Sequence, residues 1–132
     1  MGDKAVLQDT YTDTCSVCVG AIGSTNIVEI AGEVDIATVS MLAKALNDAV
    51  HSGKGDIILD AQKLTYVDSA GLQTLLSTQQ QLATKGRRMA IVGCHGIFHK
   101  LMRTSRLDEH FRMYSTVDEA LMDLNDWEVP TA

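Results

Sequence analysis

Hydrophobic and polar residues recur with two different periods along the chain. In residues 15–22 and 27–31, apolar residues alternate with small or polar ones, which is typical of strands, and residues 23–26 between them suit a hairpin turn. From about Thr38 to Ser52 the period changes to three or four residues, which predicts an amphipathic helix that Gly53 ends. The residues that this helix is expected to bury are Val39, Leu42, Ala43, Leu46 and Val50.

The second half of the chain repeats this alternation. The apolar runs 56–61, 88–93 and 111–114 predict strands, and residues 89–92 are consecutively apolar, as in a strand covered on both faces. Helical spacing predicts one helix from about residue 69 to Gly86, a second over 96–106, and a third after the capping-box pattern of residues 116–119. The buried residues predicted for these helices are Leu72, Leu75, Leu76, Leu82 and Ala83; Ile97, Leu101 and Met102; and Ala120, Leu121 and Leu124.

Together these elements predict a single α/β domain. It should have a mostly parallel central sheet of about five strands, an antiparallel first strand and about four helices. The first strand is antiparallel because a four-residue connection is too short for a crossover. Residues 1–13 are predicted to be an N-terminal arm, residues 14–125 the folded domain and residues 126–132 a C-terminal tail.

Charge narrows the range of partners. The formal net charge is −6, and no basic run is longer than Arg87-Arg88. Nucleic acid and an anionic membrane surface are therefore poor partners. No apolar segment has the length of a signal sequence or a spanning helix, so we expect no membrane insertion and a cytoplasmic location.

Cysteine and histidine spacing raises the question of metal or redox chemistry. Cys15 and Cys18 form a C-x-x-C pattern, but on a strand their Cα atoms would lie about 10 Å apart with side chains on opposite faces. His95 and His99 have the spacing of zinc-binding helices, but Gly96 stands where the glutamate of H-E-x-x-H would be. We therefore expect buried thiols, partly exposed histidines and no metal or other cofactor.

The sequence contains no familiar catalytic pattern. Asp60 ends a predicted strand, as the acceptor of a phosphoryl receiver would, but residues 21–23 lack the carboxylates that would hold Mg²⁺. No G-x-G-x-x-G, P-loop or G-x-S-x-G motif occurs. These observations predict a protein that is not an enzyme.

The stretch 64–72 (LTYVDSAGL) carries the strongest functional signal. It joins a predicted strand to a predicted helix, so Asp68 and Ser69 fall at a helix N-terminus, where unpaired N–H groups and the helix dipole favour negative charge. The small residues Ala70 and Gly71 would allow another backbone to come close. An exposed serine here suits phosphorylation; alternatively, Asp68 or Ser69 only caps the helix.

Two further acidic residues, Glu33 and Asp35, follow another predicted strand. The carboxyl ends of parallel strands share one edge of a sheet, so these residues and Asp68 are predicted to form an acidic rim that binds a partner. Alternatively, Asp35 or Thr38 caps the next helix and Glu33 is only solvated.

Three stretches, in order along the chain, resemble the STAS domain family and, within it, the anti-anti-sigma factors (anti-sigma factor antagonists). They are Gly32-Glu33-Val34-Asp35 before the first long helix, the segment 58–72 with VDSAGL at its end, and the segment 97–111. The resemblance extends roughly from Cys15 to Leu124 and implies a STAS-like domain over residues 14–125.

The resemblance also implies a partner-switching regulator. In that family, the unphosphorylated protein binds an anti-sigma factor that is a serine kinase of the GHKL type. Phosphorylation of the serine that matches Ser69 releases this partner, and a PP2C-type phosphatase restores the serine. The implied partner-binding residues are Glu33, Asp35, Asp68, Ser69, Ala70 and Gly71. Two alternatives stay open: a non-switching subunit or scaffold of a lipid-transport or sensory complex, and weak binding of a small molecule.

Overall fold

The computed structural model describes the backbone of residues 5–126 and the side chains of residues 9–124. This part of the chain forms six strands, four α-helices and one short 3₁₀ helix, Leu107–His110. The strands are β1 Ala5–Tyr11, β2 Cys15–Ile22, β3 Thr25–Val34, β4 Ile57–Val67, β5 Met89–Val92 and β6 Arg112–Tyr114. The helices are α1 Val39–Ser52, α2 Ser69–Ala83, α3 Gly96–Thr104 and α4 Val117–Asp126.

The strands form one mixed sheet in the order β1-β2-β3-β4-β5-β6. The pairs β1–β2 and β2–β3 are antiparallel, whereas β3, β4, β5 and β6 run parallel. Helices provide the crossovers between the parallel strands, as short loops cannot. The α/β fold and the antiparallel start that the sequence predicts are confirmed.

The N-terminal segment differs from its prediction as an arm. Residues of β1 pair with β2 along its whole length, from Ala5 opposite Ala21 to Tyr11 opposite Ser16, so the sheet has one strand more than predicted. The segment has weak alternation because an edge strand need not bury a continuous apolar face. At the other end, α4 extends to Asp126, and the rest of the predicted tail, 127–132, lies outside the described residues.

Two hydrophobic cores lie on opposite faces of the sheet. The larger one joins α1, α2 and α3 to one set of alternating strand residues, among them Val28, Ile30, Ile57, Leu59 and Ile91. The smaller one joins α4 to the intervening residues, among them Ile27, Ile58, Ala90 and Val92. Because β5 and the first three residues of β4 are covered on both sides, these residues are apolar without alternation.

Some predicted helix faces are wrong in detail. In α2 the buried stripe consists of Gly71, Leu72, Leu75, Thr78 and Leu82, whereas Leu76 is half-buried and Ala83 is exposed. In α3, Phe98 and Met102 are buried and Ile97 is exposed. The buried stripe of a helix contains only positions spaced i, i+3 and i+4, so apolar residues next to the stripe, such as Leu76 and Ile97, lie outside the core.

The strands β3 and β4 extend beyond their predicted ends, and this extension positions the candidate site. Register irregularities between Glu29 and Ala31, and between Gly32 and Glu33, bend β3 as it pairs with β4. Gly32 has a φ of +87°, and a Cβ there would lie 2.1 Å from the Thr14 carbonyl oxygen. Only glycine fits this close approach, after which the two strands continue side by side to their ends.

Candidate functional site

The ends of β3 and β4 bring the two predicted loops together. Val34 and Val67 are partners in the parallel register, and the Asp68 N–H donates to the Val34 carbonyl oxygen at 3.1 Å. Adjacent strands lie about 4.8 Å apart, so the residues that follow each strand are neighbours. We call the three carboxylates at this edge, Glu33, Asp35 and Asp68, the acidic rim.

Asp68 caps helix α2. Its Oδ1 accepts hydrogen bonds from the Ala70 N–H at 3.0 Å and the Gly71 N–H at 3.2 Å. Ser69 is the first helical residue and its side chain is exposed. The predicted position of Asp68 and Ser69 at a helix start is therefore correct, and Asp68, not Ser69, is the capping residue. The serine hydroxyl is left facing solvent.

The Asp68 cap reduces the number of free backbone N–H donors at the start of α2 that could bind an anion. Two of the N–H groups that could bind a phosphate on Ser69 already donate to the Asp68 carboxylate. A phosphoryl group there would add its charge beside a carboxylate, and those two donors would not compensate it.

Gly71 has a packing role. It is buried, and a Cβ on it would lie 2.5 Å from Val67 Cγ2 and 3.1 Å from Val34 Cγ1. Glycine therefore lets the first turn of α2 pack directly on the ends of both strands. Ala70 is half-buried, and partner binding by Ala70 and Gly71 stays a prediction.

Asp35 orders the turn between β3 and α1. Its Oδ1 accepts from the N–H groups of Ala37 at 2.9 Å and Thr38 at 3.1 Å. In return, the Thr38 hydroxyl accepts from the Asp35 N–H at 3.0 Å and donates to the Glu33 carbonyl oxygen at 2.8 Å. Thr38 occupies the N-cap position of α1 without a side-chain cap, so the capping prediction is correct for Thr38 by position and for Asp35 by hydrogen bonding. Glu33 is exposed.

Two of the cysteines lie on β2 and one follows β5, and Cys15 lies close to Thr38 and Asp35. Cys15 is buried and Cys18 half-buried on β2, and alternation places them on opposite faces, as the spacing predicts. Burial raises the pKa of the Cys15 thiol, and burial together with the nearby Asp108 raises the pKa of Cys94 to about 11. The thiols of Cys15 and Cys94 are therefore held in their unreactive protonated form.

The histidines do not converge on a metal. His95 Nε2 lies 2.9 Å from the Gln62 carbonyl oxygen, and both His95 and His99 are exposed. Within residues 9–124 we find no group of three or more histidine, cysteine or acidic side chains arranged to hold an ion. Both histidines line an open cleft of about 580 Å³ at the ends of β5 and β6, which includes no residue of the acidic rim.

The chain has a mixed sheet, and a capped helix that begins with a serine follows the second parallel strand. These features define an α/β domain like the STAS-like domain that the sequence predicts. The sequence model of the STAS domain family matches residues 19–120, so the chain belongs to the STAS domain family. Across residues 5–126, none of the helices combines the length and the apolar character required to cross a bilayer.

Two of the proteins similar to this chain are anti-sigma factor antagonists. The chain is 24% identical over 109 residues to the anti-sigma-F factor antagonist RsfB of Mycobacterium tuberculosis, a match that covers 83% of this chain and 88% of RsfB. It is 28% identical over 99 residues to the anti-sigma F factor antagonist of Paenibacillus polymyxa, covering 74% of this chain and 85% of that protein.

A solved structure confirms the fold. The crystal structure of an anti-sigma factor antagonist from Mycobacterium paratuberculosis matches with a TM-score of 0.79 at 23% identity, covering 89% of this chain and 99% of that one. This likeness extends over nearly the whole described part of the chain.

Proposed function

We propose that this protein is an anti-sigma factor antagonist of a partner-switching system in the cytoplasm. In its unphosphorylated form it binds an anti-sigma factor that is a GHKL-type serine kinase. Phosphorylation of Ser69 ends this binding, and a PP2C-type phosphatase restores the serine. The observation that carries the proposal is the exposed Ser69 at the start of α2, on the same edge as the acidic rim. The protein acts by binding and catalyses no reaction.

Charge supplies the switching mechanism. A phosphoserine carries about −1.5 to −2 charges at neutral pH. At Ser69 this charge would lie beside Asp68 and next to the turn that Asp35 orders. A partner surface shaped to this edge would have to desolvate the dianion among carboxylates, which lowers its affinity. The fold stays intact because the phosphate projects from an exposed side chain.

Phosphate transfer tests the first half of the proposal. The anti-sigma factor kinases encoded in the source genome are purified, and each is incubated with this protein and ATP. We expect one of them to phosphorylate Ser69, located by mass spectrometry, and to leave Ser69→Ala unmodified. The control Ser77→Ala, at a half-buried position of the same helix, should be phosphorylated like the wild type. Phosphate on Thr74 or Ser77 with Ser69 unmodified would contradict the proposal.

Calorimetric titration with the same kinase in ADP tests the second half. The wild type and Ser69→Ala should bind alike, and the phosphoprotein should bind at least about tenfold more weakly, which corresponds to about 1.4 kcal/mol. Ser69→Asp should lie between them because it carries a smaller charge. Equal affinity for all four forms would indicate a scaffold that does not switch.

A further inference from the structure

An exposed isoleucine lies beside the acidic rim. Among residues 9–124 the large hydrophobic side chains that face solvent are Tyr11, Ile36, Tyr66, Ile97 and Met122. Ile36 is the most exposed of them at 83%, and it follows Asp35 directly. Single exposed hydrophobic residues are common on monomeric proteins, so exposure alone assigns Ile36 no role. Its setting supplies the further observations.

The turn that carries Ile36 is ordered on both sides. The Asp35 carboxylate binds the N–H groups of the two residues after Ile36, and the Asp35 carbonyl oxygen accepts from the Val39 N–H at 2.8 Å. Thr38 is 4% exposed, and its hydroxyl accepts a hydrogen bond from the Asp35 N–H on the inner side of the turn. The backbone thus holds Ile36 outward before any partner arrives, which reduces the entropy lost on binding.

A second exposed side chain with a large apolar part lies near the end of β4, the strand that pairs with the end of β3. Tyr66 is 43% exposed, and its register partner on β3 is Glu33. One residue further along β4, the strand ends and Asp68 and Ser69 follow. Ile36 and Tyr66 therefore belong to the same strand edge as the exposed serine.

The two segments that carry these side chains have charges of one sign. Residues 33–38 and 65–71 contain three carboxylates and no lysine or arginine. An apolar side chain bordered by carboxylates matches a partner surface with an apolar pocket bordered by basic residues, because complementary potentials favour association. Apolar groups at the centre with charges around them are also the usual arrangement of a binding hot spot.

We propose that Ile36 is an apolar anchor that inserts into a hydrophobic pocket of the anti-sigma factor, with Tyr66 as a second contact beside Ser69. This inference rests on the proposed function and adds to it a residue that determines affinity for the partner. The acidic rim then orients the partner, and Ile36 contributes the desolvated contact. Phosphorylation next to this contact raises the cost of closing the interface over it.

Binding measurements with matched variants test the anchor. The probe is the kinase that phosphorylates Ser69, titrated in ADP so that no phosphate is transferred. We expect Ile36→Ser to bind at least about tenfold more weakly, Tyr66→Ser to show a smaller loss, and Ile36→Leu to stay within about threefold of wild type. Met122→Ser, at a 67% exposed position on α4 outside the rim, should bind like wild type. The unfolding midpoint should not change in Ile36→Ser.

The possible results distinguish failure of the Ile36 proposal from failure of the proposed function. If wild type binds the kinase and Ser69 is phosphorylated, but Ile36→Ser binds equally well, the anchor is wrong and the proposed function stands. If Ile36→Ser also lowers the unfolding midpoint, or Ile36→Leu loses as much binding as Ile36→Ser, the residue supports the turn and the anchor is again wrong. If wild type binds no anti-sigma factor, both proposals fail.

Discussion

At the residue scale, two aspartates order the two turns that meet at the acidic rim. Asp68 and Asp35 each accept two backbone N–H bonds through a single carboxylate oxygen. Both carboxylates therefore serve the local structure before any partner binds. A substitution at either position combines a structural effect with a binding effect, and the two effects have to be measured separately.

Replacement of Asp68 by alanine should lower the free energy of unfolding by about 0.5–2 kcal/mol, because the first turn of α2 loses its cap. Asp68→Asn keeps an oxygen acceptor, so its free energy of unfolding should fall by at most a few tenths of a kcal/mol. Urea denaturation of the two variants beside wild type measures the difference. If both variants unfold like wild type, the cap seen at Ala70 and Gly71 contributes little to stability.

The Cys94 thiol should resist alkylation in the folded protein. With its pKa raised to about 11, only about 0.3% of it is thiolate at pH 8.5, compared with about half of an unfolded cysteine. Iodoacetamide labelling at pH 8.5, followed by mass spectrometry, should modify Cys94 on the order of 100-fold more slowly than in urea. The rate should rise with pH up to about 11, because the raised pKa keeps the thiol protonated below that value.

The half-buried Cys18 is the internal control for this experiment and should be labelled before Cys15 and Cys94. Equal rates for Cys94 in folded and unfolded protein would show that the thiol is not protected.

The local chemistry of individual residues was predictable, and their packing was not. The Asp68-Ser69 helix start and the Asp35 turn depend on side chains within three residues of the backbone groups that they bind, so sequence spacing indicates them. The close fit of Gly71 against Val34 and Val67 depends on residues distant in sequence. The exposure of Ile36 likewise depends on which surfaces of the fold remain uncovered.

At the element scale, β4 shows how an irregular strand can be mistaken for a loop. Its residues 61–67 are buried every third position, at Ala61, Leu64 and Val67. This period matches neither the two-residue alternation of a regular strand nor a helix, because the register of the β3–β4 pair shifts twice. The sequence therefore predicts a strand over 56–61 only, although the extension is what carries Ser69 to the rim.

Helix α2 provides a direct test of its observed face. Leu75 is 1% exposed, and Leu75→Ala should lower the free energy of unfolding by about 2–5 kcal/mol through lost burial and a cavity. Leu76, which sequence spacing assigns to the same core, is half-buried, so Leu76→Ala should lose less than half as much. Chemical denaturation measures the free energy of unfolding of both variants. Equal losses would show that Leu76 is part of the core.

At the scale of the whole molecule, Arg87 joins three segments. Its guanidinium donates to the Val50 carbonyl oxygen at 2.7 Å and the Ala49 carbonyl oxygen at 3.0 Å at the end of α1, and to the Gly55 carbonyl oxygen at 2.8 Å before β4. Arg87 itself lies between α2 and β5. Carbonyl groups at the end of α1 thus accept from a residue that is remote in sequence, and the Ala49 carbonyl oxygen also accepts from the Gly53 N–H at 3.1 Å.

Arg87→Ala should therefore lower the free energy of unfolding by about 2–4 kcal/mol, because buried carbonyl groups lose charged donors. Arg87→Lys should recover only part of this loss, since an ammonium group cannot reproduce the planar fork. The control Arg103→Ala, at an exposed position of α3, should change the free energy of unfolding by less than about 0.5 kcal/mol. Denaturation curves decide the question, and similar values for Arg87→Ala and Arg103→Ala would rule out this role.

The order of the strands in the sheet has a consequence for how the protein is made. Each strand neighbours the strand that precedes it in sequence, from β1 to β6 without exception in the described residues. A growing chain can therefore add each strand to an edge that has already left the ribosome. Each new strand covers the edge of the strand before it, which shortens the time during which that edge can pair with another chain and aggregate.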